Sequence, residues 1–98
     1  MGYKVILTPQ SVADLEAIVT FIAKDNPEQA RTFGYELIDV ALSLDTLPER
    51  GHITPEINEA SVREIRHGAY RVIYEILQTP RGVSVLRFWH DARAGLRN

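Results

Sequence analysis

Two dipeptides constrain this chain more than anything else in it: Thr8-Pro9 and Asn26-Pro27. In each, a side-chain oxygen able to accept from the first free backbone N–H groups precedes a proline, whose missing N–H is no loss at the first helical position. An apolar stripe follows each. After Pro9, Val12, Leu15, Ile18, Val19 and Ile22 recur at three- and four-residue steps, with Asp14, Glu16 and Lys24 off the stripe. After Pro27, Gln29 takes the capping-box position, and Ala30, Phe33, Leu37, Ala41, Leu44 and Leu47 follow in a nearly seven-residue rhythm that Pro48 ends. The joint "KDNPEQ" leaves room only for a sharp reversal, so the spacing predicts an antiparallel helical hairpin.

The flanks read as strands. "YKVILT", Tyr3 to Thr8, is short and rich in β-branched residues. "PERGHITPEINEA", Pro48 to Ala60, has broken periodicity and reads as a loop packed at Ile53 and Ile57. Three strands follow. "VREIRH" is short. "YRVIYEIL" sets Tyr70, Val72, Tyr74 and Ile76 against Arg71, Ile73, Glu75 and Leu77. "VSVLRFW" sets Val83, Val85, Arg87 and Trp89 against Ser84, Leu86, Phe88 and His90. "HGA" and "TPRG" are hairpin-length joints, the second suited to a type I turn with Pro80 at its second position. The expected fold is α+β: an N-terminal strand, the helical hairpin, then a three-stranded antiparallel meander with the helices on one sheet face. The chain is expected to form one domain, 1–98, because neither side of the loop could bury a core alone. Trp89, Tyr70 and Tyr74 are expected in the core. The other sheet face mixes apolar and charged residues, as partner-binding surfaces do.

Composition narrows the chemistry. The chain has no Cys, so no disulfide or thiolate is available, and its three scattered His show no metal-ligand spacing. No metal and no cofactor is expected. No apolar run approaches the roughly 20 residues of a membrane span and no signal-peptide profile opens the chain, which suits a cytoplasmic protein that meets no membrane. The net charge of −2 conceals a split. Residues 1–60 carry four basic residues against ten acidic ones. Residues 61–98 carry Arg63, Arg66, Arg71, Arg81, Arg87, Arg93 and Arg97 against Glu64, Glu75 and Asp91. Two readings follow: a shared exterior arginine patch that an acidic or polyanionic partner covers, or arginines paired with acids of the same chain. For Arg71 such an acid is either Glu75, on its own strand face, or an acid across the strand pair.

The order of these pieces resembles the RelE/ParE superfamily of toxins from bacterial type II toxin–antitoxin modules. "YKVILTPQSVADLEAIVTFIAKDNPEQA" is similar to the family's strand and hairpin, "LPERGHITPEI" to its Pro/Gly loop, "YRVIYEI" to its central strand and "LRFWHDAR" to its closing strand. The resemblance implies a partner: a small DNA-binding antitoxin with an acidic C-terminal segment, joined with the toxin in a hetero-oligomer. Arg63, Arg66, Ile73 and Leu77 are the expected antitoxin contacts.

Three activities are open under that resemblance. A RelE-like toxin cleaves mRNA on the ribosome by 2′-OH attack on the adjacent phosphate, which needs a base, an acid and a cation but no metal. Arg71 would then clamp the phosphate and His90 would serve as acid/base. The Tyr that often follows in that branch is missing, Asp91 stands after His90, and the pI of about 5.9 is low for a ribosome-directed protein. A ParE-like toxin instead binds DNA gyrase and holds it with DNA cut. "FWHDARAGL" resembles that branch's ending, with Trp89, Arg93, Leu96 and Arg97 as target contacts, and this is the preferred reading. The third is an inactive binding module that only sequesters an antitoxin.

Overall fold

The computed structural model describes residues 2–92. Strand β1 (Lys4–Leu7) leads into α1 (Pro9–Ala23) and α2 (Pro27–Leu42). Then come two 3-10 turns, Ser43–Asp45 and Pro48–Arg50, and strands β2 (His52–Ile53), β3 (Val62–His67), β4 (Tyr70–Gln78) and β5 (Arg81–His90). Both expected caps form. Thr8 Oγ1 accepts from the Ser11 N–H at 3.2 Å and Asn26 Oδ1 from the Gln29 N–H at 3.0 Å. The second helix stops earlier than Pro48: it ends at Leu42, and Leu47 turns left-handed (φ 50°) and is 72% exposed. Arg50 takes over the exposed helix end, donating to the carbonyls of Ser43 (3.2 Å) and Thr46 (2.7 Å).

The sheet has five strands in the order β1-β5-β4-β3-β2. The β3–β4–β5 meander is antiparallel, but β1 lies parallel to β5, so the sheet is mixed rather than purely antiparallel. The loop before the meander contributes β2, paired to β3 at His52↔Glu64 and Ile53↔Arg63. Ile53 and Ile57 are exposed. The loop is held instead by buried Pro48, Gly51 and Thr54, and by the Tyr74 hydroxyl, which donates to the Pro48 carbonyl and accepts from the Gly51 N–H. A Cβ on Gly51 would lie 2.8 Å from the Glu64 carbonyl and closer still to that hydroxyl, so the approach requires glycine. At the β4–β5 joint, Gln78 pairs with Arg81, so Pro80 stands third in the turn rather than second, a position that disfavours the type I turn expected.

The helices cover one sheet face. Leu37, Ala41 and Leu44 pack there with Val72, Tyr74, Ile76, Val83, Val85 and Phe88. Phe88 belongs to that set because β5 bulges: Ile73 faces Arg87 while Tyr74 faces Val85, leaving Leu86 extra. The insertion reverses the alternation, so Trp89 packs with Val62 and Ile73 on the far face rather than with Val83 and Val85.

Candidate functional site

Two polar constellations flank the end of β5. The first lies between α1 and β5, where β1 has stopped at Leu7 and α1 runs on past the sheet edge. The buried line on α1 is Ser11, Asp14 and Ile18, a rotation that leaves Val12 exposed and brings Asp14 inward. Its carboxylate accepts from Arg87 Nε at 2.7 Å and Nη2 at 3.0 Å, from the Phe88 N–H at 3.1 Å and from Gln10 Nε2 at 3.2 Å. The hydrogen bond that Arg87 donates to Asp14 raises the Arg87 pKa, against the pull of partial burial. The same guanidinium lies 4.6 Å from the Trp89 ring centroid. Around the clasp runs an open groove of about 670 Å³ whose walls include Ala17, Phe21, Tyr70, Phe88, His90 and Ala92. Phe21 stands at its rim, 67% exposed. With four donors on its two oxygens, Asp14 is a structural anchor and blocks the β5 edge at Phe88.

The second constellation sits on the far face and is centred on Arg71, which is 6% exposed. Its Nη1 and Nη2 form a two-pronged pair with Glu56 at 3.0 and 2.9 Å, and Nη1 also reaches Glu64 at 2.9 Å. Nε approaches Asp91 at 3.4 Å, an ionic contact rather than an aligned hydrogen bond. Asp91 also accepts from Arg66. The Glu56 hydrogen bond, followed by those with Glu64, drives the Arg71 pKa upward despite desolvation. Asp91 is held below the ordinary carboxylate range, chiefly by the Arg66 hydrogen bond.

Comparison with known proteins places this architecture. The ParE family, described as ParE toxin of type II toxin-antitoxin system, parDE, matches residues 5–95. The chain belongs to the ParE toxin family. A chromosomal ParDE toxin–antitoxin system from P. aeruginosa shares the fold at a TM-score of 0.73 and 18% identity, over 90% of this chain and 95% of that one. The toxin–antitoxin complex RelBE2 from Mycobacterium tuberculosis aligns at a TM-score of 0.63 and 25% identity, over 92% and 99%. No curated protein matches in sequence.

Against this ParE-family frame the expected site residues separate. Arg71 and His90 fall on opposite faces of the sheet: Arg71 pairs across from Trp89, while His90 pairs with Tyr70 and meets its ring edge-on at 4.9 Å. Arg71 is bonded to Glu56 and Glu64, not to Glu75 on its own strand. Arg63 donates to the carbonyls of Ala60, Glu49 and Gly51. Arg66 pairs with Asp91, Arg81 lies over the Tyr3 ring and Arg87 pairs with Asp14. The described arginines of the last third are thus engaged within the chain and form no shared exterior patch. Ile73 is 1% exposed, sealed by Val62, Leu86 and Trp89, so it offers no contact surface, whereas Leu77 is exposed. Trp89 is also buried. Arg93, Leu96 and Arg97 lie outside the described residues. Among those described, no three His, Asp or Glu side chains gather as metal ligands, and no helix is long and apolar enough to cross a membrane. Sequence reasoning missed Asp14, Glu56 and Asp91. The only local signal was Ser11, a small residue three before Asp14 on the line that packs at the edge.

Proposed function

We propose that this ParE-family toxin arrests growth by binding DNA gyrase and holding it with its DNA cut, and that a small antitoxin with an acidic C-terminal segment neutralises it in the cytoplasm. The observation that carries the choice of target is the state of Arg71. Cleavage of RNA by 2′-OH attack needs a cation open to the phosphate and an acid/base group on the same side of it. Here the guanidinium is buried under Glu56 and Glu64, and His90 belongs to the other face. Binding gyrase requires no such constellation. The target contact falls to Arg93, Leu96 and Arg97, with buried Trp89 supporting the strand that leads to them. Arginine is among the side chains that most often dominate tight protein contacts. For the antitoxin, the α1–β5 groove with Phe21 at its rim offers apolar surface, and Arg66 and Leu77 remain accessible on the far face.

Induction in a bacterial host, with protein synthesis and DNA breakage followed separately, tests the reading. DNA breaks that depend on gyrase, with translation continuing, are expected, and a chain ending at Ala92 should lose the effect. Translation arrest with cut mRNA and intact DNA would overturn the gyrase target. Antitoxin binding without arrest would make the chain a sequestering module.

A further inference from the structure

The outer side of the helical hairpin carries a line of side chains that the core does not use. Arg31, Tyr35, Ile38 and Leu42 of α2 follow one another at steps of four, three and four residues. At about 100° per residue, those steps keep all four within about 60° of the helix circumference. This is the spacing of a seam between two helices. Tyr35 is 63% exposed and Leu42 51%, with Arg31 exposed and Ile38 half-buried. Helix α1 widens the line. Val19 approaches Gly34 so closely that a Cβ there would lie 2.9 Å from Val19 Cγ2. From that crossing, the antiparallel course of the two helices brings exposed Val12 to the level of Ala41 and Leu42. Apolar side chains exposed singly are ordinary, whereas a continuous line of them at seam spacing marks a contact surface.

The charges beside the line select what covers it. Glu28 and Asp39 flank it, both exposed. An acidic antitoxin segment or a nucleic acid would meet these two like charges for one Arg31. A second copy of the chain brings its own arginine to the acid. When two α2 helices are laid antiparallel with Tyr35 opposite the partner's Ile38, Arg31 falls at the level of the partner's Leu42. Its aliphatic stem can lie along that leucine. The partner's Asp39 is then three residues away, about 4.5 Å along the axis, within reach of the guanidinium. The two-fold relation repeats every such contact. Among the described residues, neither Arg31 nor Asp39 has an ion-pair partner in its own chain, so both are available.

We propose that this face of α2 is a self-recognition surface. Two copies of the chain pair antiparallel about a two-fold axis, Tyr35 against the partner's Ile38 and Arg31 against the partner's Asp39. The α1–β5 groove stays open in such a dimer, because Ala13, Ala17 and Phe21 line it from the side of α1 turned away from α2. Self-pairing therefore does not compete with a partner in that groove, and it holds whichever target the toxin has. A single helix pair is small beside the roughly 1,200 Å² or more that stable interfaces bury, so the dimer is weak and depends on concentration.

Sedimentation equilibrium of the full chain, from about 5 to about 500 μM, reads the pairing directly. The mass should rise from one chain toward two across that range. Tyr35→Ala and Leu42→Ala should each weaken the association by about tenfold or more, with urea midpoints near that of wild type because both positions are exposed. The charges give the sharper test. Arg31→Asp sets acid against acid across the axis and Asp39→Arg sets base against base, so each variant alone should stay monomeric. An equal mixture of the two restores both ion pairs in a heterodimer and should associate within about threefold of wild type. One-chain mass for wild type at every concentration overturns the proposal. A dimer indifferent to Tyr35→Ala and Leu42→Ala overturns it too, since the contact would lie elsewhere. A mixture that stays monomeric while wild type dimerises overturns the antiparallel pairing of Arg31 with Asp39.

Discussion

On one side of the sheet, Leu37, Ala41, Leu44, Val72, Val85 and Phe88 are sealed by the helical hairpin. On the other, where a second helical layer would sit in a larger protein, the apolar cluster among the described residues is Val62, Ile73, Trp89 and Leu86, and the ground beside it is taken by Arg71 with its carboxylates. A helix layer stabilises in proportion to the apolar area it removes from water. The eight-residue loop between β2 and β3 cannot cover comparable area, but through Glu56 it can complete the partner set of one guanidinium. The difference is in how each face fails. The apolar face degrades by increments as volume is lost. The ionic one fails as a set, since a buried charge deprived of its partner costs far more than the intact pair contributes.

The comparison is most directly broken at Leu37, which is fully buried. Leu37→Ala should cost about 4 kcal/mol, from lost transfer energy and the cavity left behind, read as a lowered urea midpoint at unchanged slope. A loss much smaller than this would mean the hairpin covers the sheet loosely.

Arg71→Met should cost about 3 kcal/mol, because Glu64 is left buried without its cation. The sharper form adds the partner. Arg71→Met with Glu64→Leu should recover most of that loss, as replacement of a whole buried pair by apolar side chains is often near neutral. Failure of the double variant to recover would show that the network holds the loop as well as neutralising charge, with Glu56 as its link.

Tyr74 joins the two regimes, its ring in the apolar core and its hydroxyl on the loop. Tyr74→Phe should cost about 1.5 kcal/mol near neutrality, since the Pro48 carbonyl and the Gly51 N–H lose their partner. Burial raises the Tyr74 pKa above its ordinary value. The folded state therefore holds this proton more tightly than the unfolded chain, whose phenols titrate near pH ~10. The contribution is complete below that pH and is lost as pH rises through the higher folded value. Wild type should thus lose stability above pH ~10, and Tyr74→Phe should show a flatter alkaline slope. Denaturation midpoints across that range check it.

The sequence carried the helices well because capping is local: Thr8 and Asn26 bond residues three positions on. It did not carry the parallel pairing of β1 with β5, which joins positions at opposite ends of the chain and leaves no local mark. The bulge at Leu86 was invisible because both alternating sets of Val83 to His90 mix apolar with polar residues, so a one-residue shift leaves no clear mark in the pattern. Of the partners of Arg71, a cross-strand acid was legible and Glu64 on β3 is that acid, whereas Glu75 on the same strand face does not bind it. Glu56 was missed because it lies 15 positions before Arg71, in a loop without periodicity. Asp14 seemed to belong to a solvated helix flank, yet α1 runs past the end of β1 and turns that flank toward an open strand edge.

The smallest effect is expected at Arg66, the exposed arm of the ionic face. Its side chain is 57% exposed and its pKa is raised chiefly by the hydrogen bond to Asp91. An ion pair this wet is screened by solvent and by salt. Arg66→Ala should lower Tm by less than about 3 °C, and the difference should vanish in about 1 M salt, where the screening length falls to about 3 Å. The loss from Arg71→Met should survive the same salt, because Arg71 and Glu64 are both buried and shielded from it. A loss at Arg66 as large and as salt-resistant as that at Arg71 would mean that both arginines, Asp91 and the two glutamates unfold as one unit. The contrast between the faces would then be one of total failure against gradual failure, with no tolerant rim on the charged side.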